Sequence, residues 1–82
     1  MSCCWISAFA MAVDDDAECA LTDALAAAVV QLNEKIRCAE ASLDGFCLSQ
    51  VDHTHTVDTT LSGMYRAVVT AIAAYEYDRD LV

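Results

Sequence analysis

The spacing of apolar residues predicts an all-α fold: an antiparallel hairpin of two helices, at about 15–44 and 57–78, with a short N-terminal helical arm. Three observations lead there. Between residues 21 and 43 the apolar positions Leu21, Leu25, Ala28, Leu32, Ile36, Ala39 and Leu43 recur every three or four residues, which at 100° per residue keeps them on one stripe of a helix. Between residues 57 and 75 the positions Val57, Leu61, Met64, Val68, Ile72 and Tyr75 recur in the same way. About ten residues separate the two runs, and a short connection of that kind folds successive helices back on one another. A repeat near 11 residues in three turns implies a nearly straight seam rather than a heptad supercoil.

Each element has its own signals. Residues 1–12 are apolar and uncharged, too short to span a bilayer at about 20 residues and without the basic start of a signal peptide. Trp5, Ile6 and Phe9 fit one edge of a short helix docked on the rest, with a frayed tail as the alternative. The first long helix opens at Asp14-Asp15-Asp16, whose carboxylates suit N-cap positions; Glu18 falls where the macrodipole favours acid, and Gly45 suits a left-handed stop. Residues 46–56 are rich in Ser, Thr and Asp and read as a connector.

With 82 residues, 57% of them apolar, the chain is a single small helical domain, residues 1–82. Its apolar content excludes bulk disorder. Alanine supplies fifteen of those apolar residues, however, and buries little area, so a chain of this size calls for an additional staple. The sequence suggests self-association. A second stripe of small residues, Ala20, Ala24 and Ala27 on one helix and Gly63, Ala67, Ala71 and Ala74 on the other, lets backbones approach closely. It is read as an oligomer interface that pairs two hairpins into a four-helix bundle; the alternative is that the N-terminal arm covers it.

Thirteen acids against four Lys and Arg give a net charge of −9. This argues against direct contact with nucleic acid or anionic lipid, both of which demand clustered bases. Folding the hairpin brings Asp14, Asp15, Asp16, Glu18 and Asp23 beside Glu76, Asp78 and Asp80, with Arg79 as the only base, into one acidic pole. Acids at the end of the second helix oppose its dipole, so they point to a surface that docks on a basic, nucleic-acid-binding surface of a partner protein; solubility alone is the simpler account. No calcium loop is spelled out around Asp14–Glu18.

Five cysteines, Cys3, Cys4, Cys19, Cys38 and Cys47, are odd in number and lack Cys-x-x-Cys spacing. They read as reduced thiols of a cytoplasmic protein. Cys47, His53 and His55 have the ligand types of a zinc or copper site, and histidines two apart share a side only in extended chain; without further ligands the set stays incomplete. No arrangement of nucleophile, base and oxyanion hole is present, and no cofactor is expected. The sequence therefore points to a non-catalytic regulator or inhibitor that binds another protein. A thiol- or metal-responsive protein and a structural subunit of a larger assembly are the alternatives.

Overall fold

The computed structural model describes residues 2–80 and shows a mostly β protein with a single helix. Strand β1 (Ser2–Asp14) is followed by helix α1 (Ala17–Ser42), a short β2 (Leu43–Asp44), strands β3 (Cys47–Thr59) and β4 (Tyr65–Tyr77), and a short β5 (Arg79–Asp80). The three long strands form an antiparallel sheet in the order β1-β4-β3, and β2 pairs with β5. The all-α hairpin is thus corrected: the arm at 1–12, the connector at 46–56 and the second helix at 57–78 fall mainly on three strands.

The single helix lies within the span expected for the first one. Asp16 is its N-cap, with extended backbone, and its carboxylate accepts from the amides of Glu18 (2.8 Å) and Cys19 (3.5 Å). Gly45 does take left-handed backbone, φ +71°, but in the turn between β2 and β3 rather than as the helix stop. The buried stripe is Ala20, Ala24, Ala28 and Leu32, with Leu21, Leu25 and Ile36 only partly covered. The helix is therefore rotated from the expected leucine seam onto its alanine flank.

The reason lies in what it packs against. On the helix-facing side of the sheet stand Ala8 and Ala10 of β1 and Ala67, Val69, Ala71 and Ala73 of β4, all buried. In an antiparallel pair, residues directly opposite share a face, and the register Ala8↔Ala71 and Ala10↔Val69 sets these small side chains side by side. A flat alanine surface accepts an alanine ridge at close approach. The lengths agree as well: twenty-six helical residues at about 1.5 Å and thirteen strand residues at about 3.3 Å both span about 40 Å, giving a rod of 49 × 16 × 16 Å.

The small-residue stripes thus meet within one chain. Ala20, Ala24, Ala67 and Ala71 are at most 3% exposed, and that burial needs no second copy. Ala74 lies on the other side of the sheet, opposite Trp5, and Gly63 sits in the β3–β4 turn with φ +82°. Their reading as one oligomer seam is replaced by this helix-on-sheet core.

The second run failed as a helix because β4 carries apolar residues on both its helix-facing and its open side, Val69 and Ala71 on one and Val68 and Ile72 on the other, and so has no period of its own. Val68 and Ile72, four apart, share a face in a helix and in a strand alike. The discriminating signal was composition: Val68, Val69, Thr70 and Ile72, with Thr54, Thr56, Val57, Thr59 and Thr60 before them, are β-branched and favour extended backbone.

Candidate functional site

A helix about 10 Å across covers two strands spaced about 4.8 Å apart, not three. α1 accordingly lies over β1 and β4 and barely touches β3, and none of the described elements lies over the other side of the sheet. That open side carries the largest apolar residues: Trp5 is 66% exposed, Phe9 59%, Met11 56% and Val13 48%. Val68 and Ile72 of β4 lie beside them through the pairs Met11↔Val68 and Ser7↔Ile72. The ordinary order of burial is inverted here, with alanines inside and aromatics outside. Strict alternation along β1 produces it: Ile6, Ala8, Ala10 and Ala12 face the helix while Trp5, Phe9, Met11 and Val13 face away.

The acids do not gather. Asp14 is opposite Tyr65 at one end of the sheet, whereas Glu76 is opposite Cys3 at the other. The eleven residues between Tyr65 and Glu76 along β4 amount to about 36 Å. Asp14, Asp15, Asp16, Glu18 and Asp23 thus occupy one end and Glu76, Asp78 and Asp80 the other, so the single acidic pole is corrected to two acidic ends with the apolar face between them. Antiparallel helices would have joined these ends; a β1-β4 antiparallel pair with the helix returning from Asp16 separates them.

At the first end, the Asp14 carboxylate accepts from the Asp16 amide at 3.0 Å, and this bond holds its pKa below the usual range. Asp15 is pushed up by sharing a hydrogen bond with Asp14 and by the charge of that neighbour. The Cys19 thiol is pushed up by the charge of Asp16 first, then by desolvation, with Asp14, Asp23 and Asp15 adding to it. A thiol so placed is less ionised than a free one and correspondingly poor as a nucleophile. Cys4, Cys19, Cys38 and Cys47 are free thiols; the side chain of Cys3 lies outside the described residues.

The expected metal set is split. His53 is opposite Ala71 and His55 opposite Val69, on the helix side, whereas Cys47, beyond a bulge between Leu48 and Gln50, is opposite Glu76 on the open side. The two imidazoles do stand together, stacked with centroids 5.9 Å apart, in the extended geometry that their spacing implied. Among the described residues no three His, Cys, Asp or Glu side chains cluster as metal ligands.

No known family matches. Neither a family model, a curated protein nor a solved structure resembles this chain closely enough to register. The site therefore has to be read from its chemistry. Beside the open face, an open groove of about 550 Å³ runs between the edge of β1 and the second half of α1, lined by Trp5, Ser7, Gln31, Lys35 and Cys38 among others. Lys35 Nζ donates to the Ser7 carbonyl at 2.6 Å across it. No helix among the described residues is long and apolar enough to cross a membrane.

Proposed function

We propose that the chain is a non-catalytic protein-protein interaction module that docks by the open face of its sheet onto an apolar surface of a partner protein flanked by basic groups. The exposure of Trp5, Phe9, Met11 and Val13 on one face carries this reading. With aromatic side chains of about 150–250 Å² each, Trp5 and Phe9 alone leave on the order of 250 Å² uncovered. Met11 and Val13 extend the patch to the size that marks interaction sites on soluble proteins. The acidic ends supply its electrostatic frame: they favour basic groups about 36 Å apart on the partner and repel nucleic acid. An inhibitor that works by charge mimicry needs one dense acidic surface, which the split of the acids disfavours.

Trp5 is the only tryptophan, so it reports directly on this face. Partner binding is expected to shift its emission to the blue, and Trp5→Ser/Phe9→Ser is expected to lose capture of the partner from a lysate while its circular dichroism is unchanged, since both side chains point outward. Undiminished capture by that variant, with loss on charge reversal at Asp15 and Asp78 instead, would assign binding to the ends and overturn the reading.

A further inference from the structure

Strand β3 is exposed at every position, on both faces and along its outer edge. It has no proline and no lysine, the two residues that most often blunt such an edge. The other edge strand is guarded, since Lys35 takes the Ser7 carbonyl of β1. On β3 the His53 amide donates to the carboxylate of its own neighbour, Asp52, at 2.8 Å, which places this donor on the outer side of the strand. Odd-numbered residues of β3 therefore offer their amides and carbonyls outward, where a further strand can take them.

We propose that two copies of this chain join antiparallel along the outer edges of β3, Thr54 against Thr54, when a divalent transition-metal ion of the zinc type binds between them to His53 and His55 of both copies. This proposal concerns the edge of the sheet and stands independently of the open face.

The register follows from the side chains. A two-fold axis perpendicular to the sheet keeps the faces continuous only if paired residues have the same parity, which leaves few alignments. Centred on Thr54, Val51 meets Val57, His53 meets His55, Asp52 meets Thr56 and Gln50 meets Asp58. Every cross-strand pair is then apolar with apolar, imidazole with imidazole, hydroxyl with hydroxyl at Thr54, or carboxylate with a hydrogen-bonding neutral group. Centring on Asp52 or on His55 sets acid against acid, Asp52 on Asp52 or Asp52 on Asp58; centring on His53 sets Val51 against His55. The alignment on Thr54 also uses residues 50–58, the stretch of β3 beyond its bulge.

Charge does not forbid the contact despite −9 per chain. Of the acids on β3, Asp58 is neutralised by Arg66, two hydrogen bonds at 2.7 and 3.1 Å, and only Asp52 is left. The acidic ends belong to β1, α1 and the end of β4 onward, at least one strand away from the seam.

In this alignment His53 and the second copy's His55 form a hydrogen-bonded pair, with Cβ atoms about 5 Å apart. Each copy already stacks its own two imidazoles at 5.9 Å. The four rings stand on the helix side of the sheet, where α1 leaves β3 uncovered, so they remain free to turn toward one ion. Four imidazole nitrogens are a suitable ligand set for Zn²⁺, Ni²⁺ or Cu²⁺. One chain supplies only two of them, so the site is incomplete without the second copy.

Zinc titration of the wild-type chain, followed by sedimentation and elemental analysis, tests both halves. The expected result is a rise from the 8.8 kDa chain mass to about twice that value, with one ion per two chains and reversal by chelator. His53→Gln/His55→Gln, which keeps every thiol, is expected to stay monomeric in zinc. Thr54→Lys keeps all the histidines but sets two ammonium groups together on the axis, and it too is expected to stay monomeric. No mass change in the wild type, one ion per chain, or zinc-dependent dimers of either variant would overturn the proposal.

Discussion

At the residue scale, two glycines share left-handed backbone and differ in what surrounds them. A Cβ at Gly63, φ +82°, meets nothing within 4 Å, so Gly63→Ala carries only the conformational cost of that backbone, about 1–2 kcal/mol. At Gly45, φ +71°, the same atom collides with the carboxylate of Asp78. Gly45→Ala is expected to lower the urea midpoint further than Gly63→Ala, and Asp78→Ala added to it to recover part of the difference. Equal midpoints for the two single variants would remove the steric account of Gly45. The left-handed backbone of Gly45 was legible in the sequence, although it serves a turn between strands and not a helix stop; Gly63 read as a helix-helix contact, and its left-handed turn was not legible.

At the element scale, the alanine core is the feature most open to test. Ala24 and Ala71 lie at 0% and 3% exposure between helix and sheet, where added methylenes have nowhere to go. Ala24→Leu or Ala71→Leu is expected to destabilise the chain by about 1–3 kcal/mol. Ala27→Leu, on the exposed side of the same helix, should change stability by less than about 0.5 kcal/mol. If these alanines formed an oligomer seam instead, the same leucines would change mass in solution and leave the unfolding of the single chain alone. The helix itself was legible because its capping acid, its three-to-four spacing and its length agree. The strands were not, because β1 and β4 carry apolar residues on both faces, which erases the alternation by which strands are recognised, and β3 is so polar that it reads as a connector.

At the scale of the whole molecule, charge is distributed rather than focused. Thirteen acids stand on a rod 49 Å long, and the ion pairs Arg66–Asp58 and Arg79–Asp44 are the two found among the described residues. Self-repulsion destabilises a compact state with such a net charge, and salt shortens its range from about 30 Å at 0.01 M to about 3 Å at 1 M. The thermal midpoint is therefore expected to rise with sodium chloride over that range. A fall would mean that the two surface pairs outweigh the repulsion. The candidate interaction face also belongs to this scale. Trp5, Phe9 and Met11 could be singled out as large apolar residues, but their common outward orientation exists only once β1 is a strand with β4 beside it.

By itself, the sequence determined the charge and its sign, the helix from its N-cap onward, and the side shared by His53 and His55 should they lie in extended chain. Those properties depend on composition or on neighbours within a few residues. Only the tertiary structure decided that residues 2–14, 47–59 and 65–77 are strands, that the alanine stripes meet inside one chain, and that the acids part to opposite ends. Each depends on which distant segments pair. A run such as 65–77 is compatible locally with helix or strand, and it becomes a strand because β1 and β3 supply its backbone hydrogen bonds on both sides.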